Sequence, residues 1–124
     1  MKKLTLRLSV LFALALGLSA SQSACGLVMP SCESTVQTLC ERASQCASPD
    51  LRTQQENTAR CMRTYDPQGQ CRYLTPSQQA EFDVAVRSGC VDRLKSATCS
   101  GTTIDAGPTC NQTLANFFSL LSAR

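Results

Sequence analysis

Residues 32–47, CESTVQTLCERASQCA, place three cysteines on one segment whose apolar positions recur at helical spacing. At 100° per residue, Cys32, Val36, Leu39, Cys40, Ala43 and Cys46 fall within about 120° of one another, which is an apolar stripe on one helix face. Ser31 stands at the expected N-cap with Pro30 just outside it. Glu33 puts a negative charge in the first turn, where the helix dipole favours it. Two residues six apart on such a helix are separated by about 9 Å of rise, beyond the roughly 7 Å limit between Cα atoms of a disulfide. Cys40 therefore cannot pair with Cys46, nor Cys32 with either. All three must reach other segments, so this helix is expected to be the hub of a crosslinked scaffold.

The remaining cysteines are Cys25, Cys61, Cys71, Cys90, Cys99 and Cys110. If Cys90 and Cys99 are also held apart by helix, roughly half of the 105 pairings open to eight cysteines remain. There is no Cys-x-x-Cys and no histidine in the chain, so the usual zinc patterns and the thioredoxin-like redox motif are missing. Structural disulfides are the expected use of Cys32, Cys40, Cys46, Cys61, Cys71, Cys90, Cys99 and Cys110, with no metal and no cofactor.

Disulfides need an oxidising compartment, and the N-terminus reads as a ticket to one. In MKKLTLRLSVLFALALGLSA, Lys2, Lys3 and Arg7 precede an apolar run from Leu8 to Leu18, followed by small and polar residues, the layout of a secretory signal peptide. The apolar run is far shorter than the about 20 residues that a membrane-spanning helix needs. Residues 1–24 are expected to be removed. They hold three of the twelve basic residues and none of the nine acidic ones, so nine of each sign remain. The formal charge of +3 belongs to the signal, which leaves no reason to expect nucleic acid or an acidic surface as a partner.

The mature chain holds only 17 Leu, Ile, Val and Phe residues and no Trp. Crosslinks must supplement so thin a core, each typically contributing about 2–4 kcal/mol. Nine cysteines leave one without an internal partner, and position singles out Cys25. Gln22-Ser23-Ala24 ahead of it resembles the lipobox of bacterial lipoproteins, in which the following cysteine is diacylated and becomes the mature N-terminus. Ser23 and Ala24 fit; Gln22 stands where an apolar residue such as Leu is usual. Lipid on Cys25 would leave eight cysteines to close into four bridges. Ser19-Ala20-Ser21 and Ser21-Gln22-Ser23 are alternative, ordinary cleavage sites, and they keep a freely secreted product open.

Four helical segments are expected in the mature chain. The second starts at Ser48-Pro49-Asp50, with Ser48 as N-cap and Pro49 at N1, and carries Leu51, Thr58, Met62 and Tyr65 to about residue 64. Its apolar face is poor, so it should depend on Cys61 and on the first helix. Arg52, Glu56, Arg60 and Arg63 along one side read as a solvated ladder. Asp66-Pro67-Gln68-Gly69 fits a type I turn. Thr75-Pro76-Ser77-Gln78 fits a capping box opening a third helix, with Phe82, Val86, Gly89, Cys90, Arg93, Leu94 and Ala97 as its stripe and Gly89 as its weak point. SGTTIDAGPT, residues 100–109, reads as a turn-rich loop, either a connector or a recognition element. Leu114, Phe117, Phe118 and Leu121 predict a short amphipathic helix docked on the body. Asn111-Gln112-Thr113 matches a glycosylation sequon of little weight behind a bacterial signal.

CERASQC on an early helix, then CVDRLKSATC followed by a Gly/Pro loop and Cys110, resemble the small cysteine-rich exported proteins and lipoproteins of myxobacteria and their relatives. The resemblance implies an envelope location and a helical disulfide fold, and it supplies no activity or site residue. The chain departs from twin Cys-x9-Cys hairpins, since Cys61 to Cys71 has that spacing once, with a Pro-Gly turn inside it.

The expectation is an all-α, disulfide-stapled domain of three to four helices over residues 31–124, behind a signal at 1–24 and a tether at 25–30. Its role is that of an envelope binding or structural module joined to a membrane by lipid on Cys25; the alternative is a freely secreted effector or inhibitor. Histidine-based general-base and nucleophile chemistry is excluded by composition, and Glu81 and Asp83 do not face each other on a helix. No catalytic residue is expected.

Overall fold

Ser31 and Ser34 start the first helix, α1, Cys32–Ala47. The Ser34 N–H donates to Ser31 Oγ and the Ser31 N–H to Ser34 Oγ, both at 3.1 Å, which satisfies two backbone donors reciprocally. The fold is that of a computed structural model describing residues 29–123, so residues 1–24, Cys25 and most of the expected tether lie outside the described residues. The inner face of α1 buries Cys32, Val36, Leu39 and Cys40. Two hydroxyls are buried with them, and both have partners: Thr35 donates to the Ser31 carbonyl at 2.8 Å, and Ser44 accepts from Thr58 at 3.0 Å.

Thr58 belongs to α2, Leu51–Tyr65, which lies against α1 and buries none of its own residues. Its N-cap is Asp50 rather than Ser48. The Asp50 carboxylate accepts the Thr53 N–H at 2.8 Å and the Thr53 hydroxyl at 2.6 Å. A charged acceptor at the positive end of a helix outcompetes a hydroxyl two residues upstream. Ser48 instead ends α1, its N–H donating to the Ser44 carbonyl. On the outer side Arg52 and Glu56 pair at 3.4 Å, both largely exposed, a contact that contributes no more than about 0.5 kcal/mol.

The turn at Asp66–Gly69 forms as expected, with Gly69 at φ +68° and the Asp66 carboxylate accepting the Cys71 N–H at 3.1 Å. A 3₁₀ turn, Gln70–Arg72, follows. The capping box of Thr75 and Gln78 then opens α3, Pro76–Arg87.

The third expected helix divides. Gly89 takes φ +75°, and α4, Cys90–Lys95, begins after it. The left-handed residue resets the helical phase, so Val91 joins Cys90 and Leu94 in the core while Arg93, on the continuous stripe, stays exposed. Ala85, off that stripe, is fully buried on α3.

The segment read as a loop is a two-stranded antiparallel hairpin, β1 (Thr98–Ser100) and β2 (Thr103–Asp105), with Cys99 opposite Ile104. Gly101, at φ +63°, supplies the positive φ that a tight hairpin turn needs, and the β-branched threonines and Ile104 suit extended backbone. The final helix, α5, Pro108–Ser122, is longer than its apolar stripe implied, because Pro108 is placed at its first turn.

The core sits between α1, α3, α4 and α5. Cys110, Leu114, Phe117, Phe118 and Leu121 of α5 supply its centre. Tyr65, Phe118, Phe117 and Phe82 make three successive tilted ring contacts, each with centroids 5.2 Å apart, running from α2 through α5 to α3. Such pairs contribute about 0.5–1.5 kcal/mol each beyond the area they bury. The domain is thus mostly helical, with five α-helices and one hairpin among the described residues.

Candidate functional site

The cysteines are the residues with assigned chemistry, and the fold pairs all eight that it describes. Cys32 joins Cys71, Cys40 joins Cys61, Cys46 joins Cys99 and Cys90 joins Cys110. Their Cα separations are 5.2, 5.5, 5.3 and 5.1 Å, near the usual disulfide span. The three cysteines of α1 each reach a different element: the 3₁₀ turn, α2 and β1. Cys32 and Cys46 mark its two ends, so the hub expected from residues 32–47 is the spine of the molecule.

Loop-closure entropy ranks the bridges. In loop-closure entropy, the loops spanning 20 and 21 residues correspond to about 3 kcal/mol each, and those spanning 39 and 53 to about 4 kcal/mol each. Four disulfides in a domain of this size are the chemistry of an oxidising compartment outside the cytoplasm. Among the described residues no helix is long and apolar enough to cross a membrane.

With eight cysteines consumed, none of them offers a thiolate to a metal or a substrate. Among the described residues, no three His, Cys, Asp or Glu side chains gather where a metal could be held. Every buried side-chain nitrogen and oxygen there has a hydrogen-bond partner. Asp83 accepts from the Gln79 amide at 2.7 Å on the exposed side of α3. That is ordinary one-turn surface pairing.

Asn111, the first residue of the sequon, has a structural task. Its Oδ1 accepts the Ala106 N–H at 2.8 Å, and its Nδ2 donates to Asp105 Oδ1 at 3.0 Å. Asp105 Oδ1 also accepts the Gly107 N–H at 2.8 Å. These bonds lock the passage from β2 into α5, and the Gly107 N–H foremost, with the Asn111 amide, holds the Asp105 carboxyl below the usual carboxylate range.

Among the described residues, an open cleft of about 540 Å³ lies between α2 and α5. Leu39, Tyr65, Ile104, Leu114 and Phe118 form its apolar wall, with Asn111, Ser119 and Ser122 among its polar groups. Its volume lies within the range of ligand sites, roughly 300–1,000 Å³. No sequence signal pointed to it, because its walls come from α1, α2, β2 and α5, four elements that come together only in the packed fold. The hairpin, expected as a connector or a recognition element, contributes Ile104 to that wall.

No protein-family model, curated protein or solved structure matches this chain.

Proposed function

We propose that this protein is an exported module of the cell envelope, held at a membrane by lipid on Cys25, and that it binds or supports a partner without catalysing a reaction. The observation that carries the reading is the closed set of four bridges. Cys32, Cys40, Cys46, Cys61, Cys71, Cys90, Cys99 and Cys110 satisfy one another, which leaves no cysteine in the chain for Cys25. A cysteine without a partner at the end of an export signal, preceded by Ser23 and Ala24, is best used as an acylation point. The likeness to exported cysteine-rich proteins of myxobacterial type leans the same way.

Binding, on this reading, uses the cleft between α2 and α5, where an apolar wall with a few polar groups suits a small amphipathic ligand or a partner's side chain. Absence of histidine and the use of eight cysteines in bridges favour a non-catalytic role.

Detergent-phase partitioning of the full-length protein, made in a bacterial host that processes lipoproteins, tests the anchor. The wild type is expected in the detergent phase and Cys25→Ser in the aqueous phase. Wild-type protein in the aqueous phase, with an N-terminus ahead of Cys25, would instead establish a freely secreted effector.

A further inference from the structure

Three features lie at the end of the molecule where α1 begins. Met29, the first described residue, is 78% exposed and lines a shallow hollow with Asp83, Val86 and Arg87 of α3. The Cys32–Cys71 bridge holds the 3₁₀ turn at the same end, with Cα atoms 5.2 Å apart. Tyr73 follows that turn directly and is 85% exposed. Among the described residues, Tyr73 and Met29 are the two most exposed large apolar side chains; Leu51, at the other end of α1, follows at 74%, and Val84 of α3 is also exposed.

The chain length ahead of this end decides what can cover it. Four residue steps separate Cys25 from Met29, and an extended chain advances at most about 3.6 Å per residue, so Cys25 lies within about 14 Å of Met29. The opposite end of α1 is some 21 Å farther along, by helical rise between Cys32 and Cys46. Cys46 carries the hairpin there through Cys99.

We infer that the face formed by Met29, Tyr73, Val84 and Arg87 rests on the lipid surface, with α1 rising from it and the hairpin at the distal end. The inference rests on the lipid-anchor reading above. A tether this short keeps that end beside the headgroups, and an exposed Tyr and Met suit the interface, where an amphipathic ring keeps its hydroxyl wet and its body apolar. Charge does not drive the contact. Arg72 is paired with Glu33 at 3.1 Å, Lys95, which lines a hollow with Met29, is paired with Asp92 at 3.5 Å, and Arg87 shares its stretch of α3 with Asp83. The face is close to neutral, so it needs no anionic lipid.

The test uses the full mature lipoprotein in phosphatidylcholine vesicles that contain a lipid with a photoreactive headgroup, and peptide mapping of the adducts. Adducts are expected on Met29, Tyr73 and residues 84–87, absent from residues 98–105, and unchanged by added salt or anionic lipid. The Met29→Ser/Tyr73→Ser variant changes only exposed positions, so it should fold, remain anchored and lose most adducts on residues 84–87. Adducts spread evenly over both ends, concentrated on the hairpin, or replaced by crosslinks to a second copy would overturn the orientation while leaving the anchor intact. An intact mass lacking acyl chains would overturn the anchor, and the orientation with it.

Discussion

The Cys40–Cys61 bridge joins a fully buried residue of α1 to a helix that buries none of its own side chains. Its partners in holding α2 are the Thr58–Ser44 hydrogen bond and the ring contact of Tyr65 with Phe118. Removing this bridge should therefore release α2 before the rest of the domain. In a Cys40→Ala/Cys61→Ala variant, stability is expected to drop by about 3 kcal/mol. Hydrogen exchange should quicken across residues 51–64 while α5 stays protected. Uniform loss of protection would show that α2 is integral to the core.

Gly89 separates two expectations of opposite sign. In the interior of a continuous helix, Gly→Ala stabilises by about 0.5–1 kcal/mol. At φ +75° the added Cβ meets nothing within 4 Å, so only backbone strain counts, and Gly89→Ala should destabilise by about 1–2 kcal/mol. Urea denaturation of the variant decides between them.

Phe117 is fully buried at the middle of the ring series, touching both Phe82 and Phe118. Phe117→Ala is expected to cost about 3–5 kcal/mol, a large share of the whole stability of a small domain. Tyr73→Ser, at a surface position, should stay within about 0.5 kcal/mol of wild type by the same measurement.

Acid should act through two capped carboxylates. Asp105 is held low by the Gly107 N–H and then by Asn111, and Asp50 by the Thr53 hydroxyl and then its N–H. A carboxylate with a lower pKa folded than unfolded binds its proton more readily when unfolded. The stability it contributes is full above the ordinary Asp value of about 4 and is lost as pH falls through the lowered folded value. With no histidine in the chain, the thermal midpoint is expected to be level from about pH 8 to 5 and to fall below about pH 4. Asp50→Asn/Asp105→Asn should flatten that acid decline, and a fall between about pH 8 and 6 would contradict the assignment.

Local chemistry was the legible part of the sequence. Ser31, Thr75 and the Asp66–Gly69 turn act over three or four residues, and each forms where its residue types require it. The stripe of α5 was equally plain. The rule of helical rise correctly sent Cys32, Cys40 and Cys46 to other segments, but which segments depends on how the elements pack. Where two local signals competed, the stronger electrostatic one prevailed, as Asp50 over Ser48. The hairpin was hidden because three-residue strands carry too little alternation to register, and Gly101 and Gly107 dominate their surroundings. The cleft was illegible for a different reason: Leu39, Tyr65, Ile104 and Phe118 lie on four different elements and form a surface only once those elements pack.

Intact mass spectrometry of the mature protein, before and after reduction and without alkylation, tests the central claim most directly. The account predicts a chain beginning at Cys25 that carries acyl mass and gains eight hydrogens on reduction, two for each of the four bridges. A chain that starts ahead of Cys25 without acyl mass, or that gains fewer than eight hydrogens, would contradict it.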